Sequence, residues 1–216
     1  VEAFTDIQPL VTNELRDTIQ ALLSQSIIAV FTSAHAVNIL HEHYLYAANV
    51  HYVINRWEIC CLEGGTLQAI QAAVKINSPV KATAANASEL ANAIVQSGKI
   101  KEVYFFCGRQ RREELPAILT QHGIAVHEIV LYENVPTPVI TDTDYDGVFF
   151  FSPSAVNSFF SVNRLSEKTV CFAIGATTAG QIAGFTNNKV IISIAPRAES
   201  MVQTAIFYFN NINCYE

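Results

Sequence analysis

Long apolar runs are missing from this sequence. No uninterrupted stretch approaches the ~20 residues needed to cross a bilayer, which argues against a membrane partner. Metal and redox spacings are missing too. The five cysteines (Cys60, Cys61, Cys107, Cys171 and Cys214) form no Cys-x-x-Cys pair and no zinc pattern, and four of them lie in apolar, strand-like runs. They read as free thiols in a reducing compartment, so a cytoplasmic protein is expected. Basic residues are scarce: 13 stand against 19 acidic ones, a net charge of −6. That balance argues against nucleic acid. It leaves room for a local anion site built from backbone N–H groups. Catalytic signatures are absent as well: no Gly-x-Gly-x-x-Gly, no Gly-Lys-Ser/Thr ending after Gly64-Gly65-Thr66, no Gly-x-Ser-x-Gly and no His-Glu-x-x-His. His41 and His43 lie two apart on an expected helix and share no face, and with His35 and His51 they make no ligand set, so no metal is expected. No signal peptide is visible, but the chain begins at Val1 rather than Met, so that absence excludes little.

What is present is a repeated unit. Half of the 216 residues are hydrophobic, enough for a sizeable core. Phe31-Thr32-Ser33-Ala34-His35-Ala36-Val37 and Phe151-Ser152-Pro153-Ser154-Ala155-Val156 each follow an apolar run and precede an amphipathic one. Each predicts a buried strand, a small polar turn and a helix, with a serine as N-cap and, in the second copy, Pro153 at the first helical position. Leu62 to Thr66 resembles Ile174 to Thr178, with Glu63 standing where the second copy has Gly175, and Ala87-Ser88-Glu89-Leu90 resembles Ala198-Glu199-Ser200-Met201. Three matches in order indicate an internal duplication. Strands alternate with helices, including a helix from Ala34 to about Tyr46 and another to about Val74, which predicts parallel sheets covered on both faces. Pro136, Pro138 and the polar stretch 141–146 mark the clearest boundary. The fold class expected is α/β, with two related doubly wound parallel-sheet domains.

In such sheets ligands gather at the carboxyl ends of strands. Those ends carry Ser33, Thr66, Ser152, Ser154, Thr177 and Thr178, each at or beside an expected helix start. Each is read either as a plain N-cap or as a contact to an anionic ligand. Arg109, Arg111 and Arg112 form the only basic cluster, either an anion contact or a solvated loop. Tyr132 lies in the extended run 126–135, where its hydroxyl can serve as a hydrogen-bond donor or the ring can merely pack.

Taken together, these blocks resemble the uroporphyrinogen-III synthase family. Phe31 to Val37 looks like its "FTSxxAV" block, Phe151 to Val156 its "FxSPSAV", and Ala173 to Ala179 its "AIGxTTA". Cys107-Gly108-Arg109 through Leu115-Pro116 and Val130 to Pro136 are similar to two further segments. The resemblance implies one domain inserted in the other across a two-stranded linker: 1–8 the first linker strand, 9–126 the inserted domain, 127–135 the returning strand and 136–216 the terminal domain. The family's N-terminal strand and helix are then apparently absent from this chain. The resemblance also implies a cyclising lyase of tetrapyrrole (haem) biosynthesis. Its substrate is hydroxymethylbilane, a linear tetrapyrrole with eight carboxylates, and no cofactor is implied; a monomer is expected. Tyr132 is then the candidate to assist departure of the hydroxyl. Ser33, Thr66, Arg109, Ser152, Ser154, Thr177 and Thr178 are candidates to grip carboxylates, with the Ser33 and Ser152 turns as opposite walls of one cleft. The competing readings are a non-catalytic two-domain clamp for a small polyanion and another doubly wound enzyme acting on a phosphorylated metabolite.

Overall fold

The computed structural model describes residues 4–46, 54–73 and 76–212. His51, Cys214, the first residues of the extended run from Val1 and the expected helix end at Val74 lie outside them. The chain divides into two compact units, Ile7–Asn134, and Val1–Asp6 with Val135–Glu216.

In the first unit, the strands are β1 (Thr5–Pro9), β2 (Ile28–Phe31), β3 (Glu58–Leu62), β4 (Val80–Ala84), β5 (Glu102–Gly108) and β6 (Ala125–Pro136), the first and last in sequence running past its ends. The helices are α1 (Asn13–Leu23), α2 (Ala34–Ile39), α3 (Gly65–Ala72), α4 (Ala87–Gln96) and α5 (Glu114–Gln121). The sheet order is β1-β6-β5-β2-β3-β4. All pairs from β6 to β4 are parallel. β1 runs antiparallel to β6: the Thr137 N–H donates to the Phe4 carbonyl and the Leu10 N–H to the Leu131 carbonyl.

The pleat sends alternate residues to opposite faces. Ala29, Phe31, Ile59, Cys61 and Phe106 pack against Ile19 and Leu22 of α1, Val37 of α2 and Ile70 of α3. Val30, Cys60, Phe105 and Cys107 pack against Leu90 and Ile94 of α4 and Leu115 and Leu119 of α5. With both faces covered, the central residues of β2, β3 and β5 are apolar whichever way they point, and polar residues such as Glu58 and Glu102 stand at the strand starts.

The other unit repeats the logic with three parallel strands, β7 (Gly147–Phe150), β8 (Val170–Ala173) and β9 (Val190–Ile192). Helices α6 (Pro153–Val162) and α7 (Ala176–Ala183) cover Phe150, Cys171 and Ala173 on one face. Helix α8 (Ala198–Ile212) covers Val170 and Phe172 on the other, through Met201 and Ala205. The fold is α/β with mostly parallel sheets.

Three local readings change. The helix expected from Ala34 to Tyr46 is α-helical only to Ile39; Leu40–Tyr46 is a π-helix. Tyr44 and Leu45 are both buried in it, and the Tyr44 hydroxyl donates to the Leu10 carbonyl. The repeat also shifts by one residue. Ser33 and Ser152 both cap, so Phe31 at the end of β2 corresponds to Phe150 at the end of β7, not to Phe151. Phe31 and Phe150 are buried, whereas Phe151 is 52% exposed. Likewise Gly64 and Gly175 are the N-caps of α3 and α7, so Glu63 corresponds to Ile174 rather than to Gly175. Gly64 has φ 69°, a left-handed conformation that explains glycine there.

Cys60, Cys61, Cys107 and Cys171 are free and buried. Burial pushes Cys60, Cys61 and Cys171 up to about 11 and Cys107 up to about 12. The folded protein therefore favours the thiol over the thiolate. That stabilisation is whole below about pH 8.5, where the unfolded thiols are still protonated. It is lost as pH rises through the folded values. Urea midpoints are expected to be level from pH 7 to 8 and to fall by pH 10. At pH 8 these four sites should also resist iodoacetamide in the native protein, as peptide mass mapping would show. A midpoint that rises with pH, or rapid native labelling, contradicts this.

Candidate active site

The sheet of the Ile7–Asn134 unit reverses its winding between β2 and β5: strands β3 and β4 follow on one side, β6 on the other. A crevice opens where such a reversal occurs, at the carboxyl ends of the strands. A cavity of about 520 Å³ lies there, lined by Thr32 and Ser33 after β2, Asn86 at the start of α4, Gly108 at the end of β5, Arg112 and Tyr132, among others.

Ser33 is the N-cap of α2. Its Oγ accepts the His35 N–H at 3.2 Å, as a serine in extended backbone before a helix should. Tyr132 sits on β6, 99 residues away in sequence, and its hydroxyl donates to Ser33 Oγ at 3.0 Å. The ring lies beside Gly108, its partner on the neighbouring β5, so closely that a Cβ there would lie 2.5 Å from the ring. The His35 ring meets it edge-on at 6.0 Å. Burial pushes the phenol above its ordinary value, and the Ser33 bond pulls it partly back. At neutral pH Tyr132 is therefore a protonated hydroxyl, a donor rather than a base.

The other expected residues are placed differently. Arg109 is 61% exposed and paired with Glu133 at 2.9 Å, and it does not line the cavity. Arg111 lines it but is held by Glu113 and Glu128. Arg112 lines it and makes no ion pair among the described residues. Thr66 is buried in the first turn of α3, whose cap is Gly64, and lies off the cavity. In the other unit Ser152 caps α6, accepting the Ala155 N–H at 3.1 Å, and shares a 2.9 Å hydrogen bond with Ser154. Thr177 is exposed and Thr178 buried; neither caps α7, which starts from Gly175. Among the described residues no cluster of three His, Cys, Asp or Glu could hold a metal ion, and no helix is long and apolar enough to cross a membrane.

Sequence reasoning missed Asn86 and the role of Gly108, and within the arginine cluster it favoured Arg109 over Arg112, which lines the cavity. Asn86 had a readable signal. Its side chain accepts the Glu89 N–H and its amide donates to the Glu89 carboxylate, a capping pair visible as Asn-x-x-Glu ahead of an apolar run. Gly108 had none, because its requirement comes from a strand neighbour far along the chain.

A family model described as uroporphyrinogen-III synthase HemD matches residues 2–203. A comparison with curated proteins finds no match. Among solved structures, the uroporphyrinogen-III synthetase of Helicobacter pylori 26695 superposes with a TM-score of 0.69 at 19% identity, over 95% of this chain and 91% of that one. A mutant uroporphyrinogen III synthase of the extremely thermophilic bacterium Thermus thermophilus gives 0.62 at 14% identity, over 96% and 88%. The wild-type Thermus protein gives 0.55 at 15%, over 95% and 87%. These likenesses carry the fold, and the family match over nearly all of the sequence carries the membership: the chain belongs to the uroporphyrinogen-III synthase family.

Proposed function

We propose that this chain cyclises hydroxymethylbilane to uroporphyrinogen III, losing water and inverting the last pyrrole ring, with Tyr132 assisting departure of the hydroxyl. The carrying observation is a protonated, half-buried phenol in a cavity of mixed polar and apolar lining at the winding reversal of the sheet, in a chain of this family. The C–O bond of the hydroxymethyl group breaks with its electron pair on oxygen, while the pyrrole nitrogen's lone pair relieves the carbon left behind. Tyr132 hydrogen-bonds to that oxygen and supplies the proton with which it leaves as water. The proton returns when a ring carbon loses one as the macrocycle closes. Closure without inversion needs no enzyme, so the protein's main task is to hold the chain while the ring turns, by orientation and differential stabilisation.

We assign carboxylate contacts to the cavity's Arg112 and, in the other unit, to the Ser152, Ser154, Thr177 and Thr178 turns; Thr66 and Arg109 are weaker candidates on their placement. We also read the two units as related domains, one inserted in the other, with β1 and the end of β6 as linker strands.

The test supplies freshly made hydroxymethylbilane and identifies the product isomer. The type III isomer is expected above the uncatalysed background; type I alone, at the uncatalysed rate, leaves only a binding protein. Tyr132→Phe keeps the ring and loses the hydroxyl. It should lower type III turnover about tenfold, the worth of one good hydrogen bond in the transition state. Full rate and full isomer ratio in that variant would remove Tyr132 from the mechanism.

A further inference from the structure

Ser33 carries more than a helix cap. A serine hydroxyl has one proton to give and two lone pairs to receive. One lone pair is filled by the His35 N–H at 3.2 Å, which pins Oγ to the start of α2. The other receives the Tyr132 proton at 3.0 Å. Both residues line the cavity. In this arrangement Tyr132 spends its only proton on Ser33 and faces the cavity with lone pairs. That is the wrong polarity for helping a hydroxyl depart.

The geometry points to Ser33 as the positioning residue for Tyr132, its hydroxyl turning from acceptor to donor when a leaving hydroxyl enters the cavity. This rests on the reading of Tyr132 given above. The exchange needs only rotation about the Ser33 Cβ–Oγ bond and the phenol C–O bond. Oγ does not move, because the His35 amide holds it in both states. Ser33 then donates to Tyr132 Oη, and the Tyr132 proton is free for the leaving oxygen. As that proton goes over, charge gathers on Oη, where the Ser33 O–H already points, a bond strongest when the phenol is most anionic. Ser33 is thereby assigned to Tyr132 and not to a substrate carboxylate. Burial, with a smaller contribution from Cys107, pushes the phenol up, and the Ser33 bond opposes it, as this coupling requires.

Two measurements test it. The first needs no substrate: tyrosine labelled with carbon-13 at Cζ is titrated in the full chain, the Tyr132 resonance being the one lost in Tyr132→Phe. Ser33→Ala is expected to move the Tyr132 titration to higher pH, and Ser33→Thr to restore it. The second is the rate of type III formation. Ser33→Ala should lower kcat about fivefold with KM unchanged, and should cost nothing further in the Tyr132→Phe background. Ser33→Gly separates the cap from the exchange, since glycine is itself a favoured N-cap; it should match Ser33→Ala in kcat. An unmoved phenol titration, a change in KM alone, or an equal loss in the presence and absence of the Tyr132 hydroxyl overturns the proposal. Tyr132→Phe at full rate would instead sink the reading of Tyr132 itself, so the two failures are told apart.

Discussion

Gly108→Ala is expected to lower type III formation about 100-fold, as a displacement of about 1 Å at a reacting group does. This exceeds the loss expected from deleting the Tyr132 hydroxyl. The added Cβ would lie 2.5 Å from Tyr132 Cε2 and 2.6 Å from Cζ, where carbon atoms cannot sit. The backbone cannot yield easily, because the Arg109 N–H is bonded to the Tyr132 carbonyl at 2.8 Å and β5 is an interior strand of the sheet. The ring must therefore swing to another rotamer. Its hydroxyl leaves Ser33 and its bulk enters the cavity, so the variant loses the donor and obstructs the site together. Gly108 does not have a left-handed φ, unlike Gly64, Gly98 and Gly123. Its requirement is close approach and not backbone freedom.

That distinction gives the experiment its control. Circular dichroism of Gly108→Ala should match the parent, because the Cβ meets only a side chain. Gly108→Ala combined with Tyr132→Ala should turn over no more slowly than Tyr132→Ala alone, since the collision is gone. A double variant slower than Tyr132→Ala would place the damage in the strand and not in the ring. A Gly108→Ala enzyme within a few-fold of the parent would show that the ring can relax without leaving its place.

The strand-to-helix turns were legible because their physics is local. A buried strand declares itself by an apolar run, and Ser33 and Ser152 declare themselves as caps by standing between that run and a helix. Tyr132 was legible as a hydroxyl in an extended run, but not as the partner of Ser33, since that pairing depends on the order β6-β5-β2. The register of the repeat could not be read to the residue. Phe31 and Phe151 look alike in sequence, and only burial separates the core residue Phe150 from the exposed Phe151. The threonines misled for a similar reason. Next to a glycine turn, Thr66 and Thr177 look like caps, but Gly64 and Gly175 take that position and leave them inside the first turn. Arg109 stood out as one of three arginines, and nothing local tells which is tied to Glu133, which to Glu128, and which lines the cavity with no ion pair among the described residues.

Phe106→Ala is expected to cost about 3–5 kcal/mol of stability, the usual range for removing a fully buried aromatic ring. Against a total of about 5–15 kcal/mol for a natural domain, that is a large share. Phe106 is the middle of a three-ring stack. It lies 5.0 Å from Phe31 at an interplanar angle of 10°, and 5.2 Å from Trp57 at 25°. All three rings are fully buried, so neither neighbour can fill the space without leaving its own. Trp57 is further held by its indole N–H, which donates to the Leu22 carbonyl at the end of α1. It is also the chain's single tryptophan, so its emission reports unfolding of the Ile7–Asn134 unit alone. Urea titration followed by that emission should show a lower midpoint in Phe106→Ala with a native spectrum still blue-shifted. Phe106→Leu, which keeps most of the volume, should recover more than half of the loss. An unchanged midpoint would mean that the stack collapses without cost. The same strand carries Phe106 in the core and, two residues on, Gly108 under Tyr132. Loosening the stack should therefore reach the site through the backbone. Type III turnover of Phe106→Ala should fall even at temperatures where the protein stays folded, and a variant weakened in stability but untouched in rate would show that β5 holds Gly108 without help from its core residues.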